Sequence, residues 1–212
     1  MKRLLILAGV ATLATGAHAN LIANGDFETF TPSGADVNGG NYFQLNNGNT
    51  ALANWTIGGR GGDVSVDVVS GWTHFDAYGV DLAGSPGPGS IAQAVSGMVA
   101  GNFYTISFRA LGMQDGINDK VVVDLGGTTY TQTVATGSTT GANSQMGSYS
   151  ITLQAGNSNN LLRLGTELTN NTNGNLLVDN VQVNAVPEPF TMSLGLASAG
   201  LFLRRRLKAK QA

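Results

Sequence analysis

The chain contains no cysteine. Disulfide scaffolds, thiolate metal sites, thiol nucleophiles and c-type haem attachment are therefore excluded. Charge is scarce too: 11% of the 212 residues are Asp, Glu, Lys or Arg, against about 25% in an average chain. Histidine occurs only at His18 and His74. His18 lies in a segment that reads as a removable leader, so the mature body keeps one imidazole. One imidazole cannot build a histidine-based zinc site. A Gly-x-Ser-x-Gly elbow is also missing, and a Ser/His/Asp arrangement would have to use His74, beside which nothing places a serine. The thirteen acids offer many pairs for glycoside hydrolysis, but none is singled out. The expectation is a non-enzyme, with a glycoside hydrolase as the least favoured reading.

Basic residues are nearly missing from the middle of the chain. Between residues 20 and 189 only Arg60, Arg109, Lys120 and Arg163 occur, against all thirteen acids, a net charge of −9 for that span. Such a body repels phosphate backbones, which argues against nucleic acid as a partner. Cations or neutral ligands such as sugars suit it better.

The remaining basic residues mark the two ends. Lys2 and Arg3 precede an apolar stretch over residues 4–13, and Ala17-His18-Ala19 follows. A basic head, an apolar run and an A-x-A site make a secretory signal peptide over residues 1–19, cut after Ala19 by signal peptidase. At the other end, Val186-Pro187-Glu188-Pro189 leads into an apolar run of 14 residues, 190–203, closed by Arg204, Arg205 and Arg206. As a helix that run is about 21 Å long, short for a hydrocarbon core of about 30 Å. Arginine snorkelling makes up part of the difference. The basic cluster stays cytoplasmic and leaves the body outside.

These features, in this order over residues 186–212, resemble the PEP-CTERM sorting signal of Gram-negative bacteria. The resemblance implies transient anchoring in the inner membrane, processing of the tail by exosortase, and delivery to the cell surface or the extracellular polysaccharide matrix.

Between residues 20 and 185 there is no sustained 3.6-residue apolar period. Short runs rich in Val, Ile, Thr, Tyr and Phe alternate with Gly, Asn and Ser clusters. The pattern predicts strands over 21–27, 52–57, 63–69, 78–82, 90–95, 103–110, 120–125, 128–134, 147–153, 161–165 and 176–183. Gly126-Gly127 reads as a two-residue hairpin turn. Tyr42, Phe43 and Gln44 read as part of a loop before Trp55 and make a weaker second set of sugar candidates. About eleven short strands with frequent turns indicate an all-β chain, a single β-sandwich of jelly-roll type. It would be flanked by the N-terminal signal helix and a short C-terminal hydrophobic helix.

The opening Asn20-Leu21-Ile22-Ala23-Asn24-Gly25-Asp26-Phe27-Glu28 resembles the first strand of galactose-binding-like jelly rolls. The runs 78–84, 87–93 and 101–108, closed by Leu177-Val178-Asp179-Asn180-Val181, resemble in their order the choice-of-anchor C family and its relatives among plant cell-wall proteins. These likenesses imply a jelly roll in an extracellular setting, with exopolysaccharide or another glycan as partner, and not an enzyme.

Two sets of candidate site residues follow. Asp179 alternates with Leu177, Val181 and Val183, which puts a carboxylate on a core-directed face, where an unpaired charge needs a cation or several donors. The resemblance implies that first and last strands lie side by side, with Asp26 and Glu28 near Asp179. It also implies one structural Ca²⁺ on Glu28 and Asp179, completed by backbone carbonyls. The competing reading is that Asp179 caps backbone amides in a turn. The second set is Trp72, His74, Asp76 and Tyr78, around Gly71 between two strands. A flat aromatic flanked by polar groups suits a sugar, with Trp72 as the stacking face; the competing reading is a loop lid over the core. Trp55 reads as core. The functional expectation is an exported matrix or surface protein that binds carbohydrate. The alternative is a structural surface protein or calcium-dependent adhesin without a sugar site.

Overall fold

Alternation of apolar and polar residues builds the sheets. The computed structural model describes residues 19–32, 36–38, 41–58, 65–71, 74, 76–84, 89–112, 120–137, 146–167 and 175–187. Among these residues the chain forms twelve strands and no helix. They are β1 (Asp36–Asn38), β2 (Tyr42–Asn46), β3 (Thr56–Gly58), β4 (Ser65–Ser70), β5 (Tyr78–Asp81), β6 (Ser90–Ala94), β7 (Phe103–Gly112), β8 (Lys120–Leu125), β9 (Thr128–Thr133), β10 (Gly147–Gln154), β11 (Leu161–Thr166) and β12 (Leu176–Ala185). They form two antiparallel sheets, one ordered β1-β2-β4-β5-β12-β7-β10 and the other β3-β6-β11-β8-β9. The all-β sandwich of jelly-roll type expected from the sequence is what forms. Residues 1–18 of the signal segment, the hydrophobic run and the arginines Arg204, Arg205 and Arg206 lie outside the described residues.

The inner faces of the two sheets make one core. Leu45, Val68, Val80, Ile106 and Phe108 of the larger sheet meet Ile57, Ile91, Val123, Leu162 and Leu164 of the smaller one. Each fully buried aliphatic contributes about 1.5–3 kcal/mol relative to exposure. Along β7, Tyr104, Ile106, Phe108 and Ala110 point inward and are buried, as their alternation with Thr105, Ser107 and Arg109 predicts. Trp55 is core as expected: it packs 5.5 Å from the Phe27 ring, and its indole N–H donates to the Asn24 carbonyl at 2.8 Å.

The Gly126-Gly127 turn also forms. Leu125 pairs with Thr128, and both glycines have left-handed backbone, φ +63° and +97°. That is the turn whose twist suits a two-residue hairpin. Gly127→Ala forces a side chain into this conformation and should cost about 1–2 kcal/mol. The expected fall in melting temperature, measured by circular dichroism, is about 2–8 °C; an unchanged midpoint would show that the turn does not need glycine.

Besides the strand expected over 52–57, of which only β3 at its end forms while Leu52 makes a single bridge to Phe30 and Asn54 turns at φ +69°, three local expectations are corrected. Residues 21–27 are not a strand: Asn24 and Phe27 adopt φ +49° and +60°. The segment is instead held by a series of single hydrogen bonds. Leu21 N donates to Val183 O at 2.9 Å, and Val181 N donates to Gly25 O at 2.8 Å. Asn20 Oδ1 accepts from Val183 N at 2.9 Å. The Gln93 amide clamps Ala23, accepting from its N–H and donating to its carbonyl. The first segment therefore does lie beside the last strand, but as a turn-rich lace whose polar backbone is satisfied piecemeal.

The second correction concerns residues 42–44, which open β2 rather than a loop. Phe43 and Leu45 pack with the core while Tyr42 joins a small cluster on the opposite face.

The third is the face of Asp179. Asp179 pairs with Arg109 but Gln182 pairs with Ser107, so β12 carries one extra residue at a β-bulge. Asn180 sits there at φ +52°. A bulge reverses the side-chain phase. Leu176 and Val178 before it, and Val181 and Val183 after it, all face the core. Leu177 packs instead with Val69, Leu111 and Met146 on the outer face. By the strand's two-residue period, Asp179 shares the outer face with Leu177, away from Val181 and Val183.

Candidate functional site

Among the described residues, Glu28 and Asp179 lie near Asp76 and the start of β5. Glu28, at the end of the N-terminal lace, reaches the start of β5. Its Oε1 accepts from the N–H groups of Ala77 at 2.9 Å and Tyr78 at 3.2 Å. A carboxylate that accepts two amides fixes the backbone leading into the strand. Glu28 is thus tied to the stretch that carries His74, Asp76 and Tyr78.

Asp179 lies on the neighbouring strand. It is 2% exposed. Its Oδ1 accepts from Asn180 N at 2.7 Å and its Oδ2 from Asn180 Nδ2 at 3.1 Å. The left-handed bulge residue thereby grips the carboxylate that precedes it. Arg109 Nη1 stands 3.9 Å away, an ion-pair distance too long for a hydrogen bond. Burial pushes the Asp179 carboxyl up to about 6, from an ordinary 3.8. The Asn180 amide and the Arg109 guanidinium pull it down, while the charges of Glu28 and Asp76 push it further up. Glu28, Asp76 and Asp179 therefore form one electrostatic neighbourhood in which negative charge is under-compensated.

That neighbourhood fits a hard cation in charge and donor type. Its two candidate ligands are Glu28 and Asp179. No group of three or more His, Cys, Asp or Glu side chains with metal-holding geometry occurs among the described residues. An ion there would need backbone carbonyls as well as these carboxylates. The capping role considered for Asp179 is present in part, through its bond to the Asn180 amide.

Of the proposed sugar set, His74 is buried, at 9% exposed, and Asp76 is exposed. Trp72 lies outside the described residues. The Tyr78 ring meets the edge of Phe30 at 5.3 Å, and Phe30 meets Phe43 at 5.3 Å. All three aromatics are partly buried against the core. Tyr78 is therefore part of an aromatic rim rather than an isolated binding face. Phe43 belongs to the weaker second set of sugar candidates, Tyr42, Phe43 and Gln44; Phe30 carries no mark in the sequence. Nothing local marks the rim, because it exists only once the strand order brings β2 and β5 to the N-terminal lace.

Sequence reading also passed over Asp67 and Asp81. They sit directly opposite each other on β4 and β5, both buried. Asp81 Oδ1 accepts from Ala83 N at 2.9 Å and Leu176 N at 2.8 Å. Burial and the carboxylates of Asp81 and Asp67 raise the Tyr42 hydroxyl above its usual range, against a hydrogen bond with Asn175. The outer face of the large sheet is thus acidic well beyond Asp179.

Of the processing residues, Ala19, Val186 and Pro187 are described and exposed. Ala17, Glu188 and Pro189 lie outside the described residues.

A family profile described as "Protein of unknown function (DUF642)" matches residues 20–184. A search of curated proteins finds no match. Among solved structures, the chain is similar to the enzymatically active domain of tailspike protein 4 of bacteriophage CBA120. The identity is 14% and the TM-score 0.49, over 79% of this chain and 21% of that one. It therefore spans about a fifth of that neighbour's length. It is also similar to a CBM4 structure, at 17% identity and TM-score 0.41 over 78% of this chain and 99% of that one. A putative sugar binding protein from Bacteroides thetaiotaomicron matches at 13% identity and TM-score 0.38, over 79% and 100% of the two chains.

Proposed function

The chain belongs to the DUF642 family, and on that premise we propose that its sandwich is a non-catalytic carbohydrate-binding domain of an exported protein. Its ligand is a glycan, the cell's own exopolysaccharide in the first instance. The binding edge is the stretch between β4 and β5, with Trp72 as the stacking face and exposed Asp76 as its polar partner; His74 is buried and Tyr78 belongs to the aromatic rim, so neither offers a free face to a sugar. The signal peptide carries the chain across the inner membrane of a Gram-negative cell. The tail beginning at Val186-Pro187-Glu188-Pro189 holds it there until exosortase releases it to the surface or matrix.

One observation carries this reading: Glu28 accepts the amides of Ala77 and Tyr78. The acidic neighbourhood suited to a structural Ca²⁺ is bonded to the backbone of the proposed binding edge. A cation on Glu28 and Asp179 would neutralise that neighbourhood and hold the edge in shape, with no part in any reaction.

The test is co-sedimentation of the mature protein with exopolysaccharide purified from the source cells, with calcium and with chelator. Calcium-supported retention, competed away by free sugar, is expected. Trp72→Ala should reduce retention about tenfold, the loss of roughly one stacking contact. Undiminished retention in that variant removes Trp72 from the site. No retention of the native protein in either condition replaces the reading with that of a structural surface protein or adhesin.

A further inference from the structure

We propose that one end of the sandwich is a lipid-contacting surface, seated on the bilayer while the tail is anchored. The end is where β12 finishes and β7 begins. Val186 N donates to Phe103 O at 2.8 Å, so these two residues face each other across the ladder. The turn just before, residues 99–102, is closed by Asn102 N donating to Val99 O at 3.2 Å. Val99 N in turn donates to the hydroxyl of the buried Tyr104 at 2.8 Å.

Among the described residues the exposed large hydrophobics are Val99, Phe103, Tyr130 and Val186. Three of the four lie at this end, with exposures of 56% for Val99, 51% for Phe103 and 36% for Val186. Isolated exposed apolar residues need no explanation, but a cluster does.

Charge points the same way. Residues 95–105, 152–161 and 182–187 of this end contain no Asp, Glu, Lys or Arg, and the acids next to it are Asp124, in the hairpin bonded to residues 156 and 158, and Glu188. A body of net charge −9 over residues 20–189 would be repelled by an anionic headgroup layer. It approaches the layer most readily by an end where acids are few.

Chain length then names the occupant. β12 ends at Ala185, and the apolar run starts at Phe190. The four steps from Val186 to Phe190 span at most about 14 Å when fully extended. The polar interface of a bilayer is itself about 5–8 Å deep on each side. Whenever the run is inserted, the Val99, Phe103 and Val186 end is therefore within reach of headgroups. Apolar side chains at that level gain by partitioning into the acyl boundary. The seated end would hold the Pro-Glu-Pro motif at the membrane surface, where a membrane-bound processing enzyme works. Asp179 stands six residues before the end of β12, about 20 Å higher along the strand, so the acidic edge stays in water.

This inference rests on the tail reading under the proposed function, and the experiment separates the two. The chain has no cysteine, so single labels are clean. Full-length protein carrying Ala100→Cys or Ser148→Cys is labelled with a polarity-sensitive fluorophore. It is reconstituted into phosphatidylcholine vesicles with 30% phosphatidylglycerol and a nitroxide lipid. Both sites are exposed, and Ser148 lies at the opposite end of β10 from Gln154, the partner of Phe103. The Ala100→Cys label should be quenched about fivefold more than the Ser148→Cys label, because quenching falls off beyond the interface. Adding Val99→Ser with Phe103→Ser should remove the difference while the protein still floats with the vesicles. Both residues are exposed, so a circular dichroism melt close to that of the parent protein is expected. Flotation with equal quenching at the two sites would overturn the lipid-contacting end and leave the tail reading intact. Failure to float would overturn both.

Discussion

Gly25→Ala will lower the melting temperature by about 6–12 °C, equivalent to a loss of about 3 kcal/mol for a domain of this size. A Cβ on Gly25 would fall on the carbonyl oxygen of Val181, with the Val181 carbonyl carbon at 3.0 Å. The obstacle is backbone, so no side chain can swing aside. Neither partner can shift freely, because Val181 N donates to Gly25 O at the same crossing. Val181 is also the residue that returns β12 to the core after its bulge. Moving the lace outward would strain the Trp55–Asn24 bond and the Glu28 cap as well. The response to calcium and the retention of glycan should therefore weaken together with stability. Gly48→Ala is the control. Its backbone is left-handed at φ +80°, and a Cβ there meets nothing within 4 Å. It should lose only about 1 kcal/mol, the conformational part of the penalty. Equal losses at the two positions, read by calorimetry, would mean that close approach to β12 is not what Gly25 supplies.

The lace and the bulge are also where the sequence was hardest to read. β7 is legible because one face of it is apolar and the residues between are not, whereas β8 is legible as a short Val-rich run bounded by Lys120 and a glycine pair. The bounds of β8 agree with those read from the sequence, since a glycine pair closes its hairpin. In β12 the run Leu176-Leu177-Val178 is apolar on both faces, because a second small cluster covers the outer one. Without alternation there was no phase to read. The extra residue at Asn180 then shifts the phase, so Asp179 takes the outer face rather than the core-directed one that alternation with Val181 and Val183 predicts. Leu21, Ile22 and Phe27 looked like a strand because all three lie against the core, yet they reach it through turns. The proximity of Glu28 and Asp179 was visible only through likeness to jelly rolls. Asp67 and Asp81 were invisible in either way, since each is a single acid in an apolar strand and the pair arises only from the β4–β5 register.

Asp179 supplies the second large effect, through pH. Its carboxyl titrates near 6 in the folded protein and near 3.8 in the unfolded chain. Below pH 3.8 it is protonated in both states and costs nothing. Between 3.8 and 6 the unfolded chain releases the proton first, so stability falls as pH rises. Above 6 both forms are ionised, and the folded state bears the whole penalty of a buried, crowded charge. A shift of about two units corresponds to about 3 kcal/mol. Other carboxylates titrate in the same range, so the quantity to measure is the difference from Asp179→Asn. In chelator at pH 7 that variant should be more stable than the native protein by about 2 kcal/mol, the ion-burial penalty less a weakened bond to Asn180. The advantage should vanish towards pH 4. Calcium should reverse the order at pH 7. An ion beside Glu28 and Asp179 favours the ionised carboxylate and raises the native midpoint through mass action. The variant, with one of the two carboxylates gone, should show little of that rise. A native midpoint indifferent to calcium would remove the ion from the proposed function. A difference between the two proteins that stays constant from pH 4 to 7 would mean that Asp179 ionises in the folded state as it does in the unfolded chain.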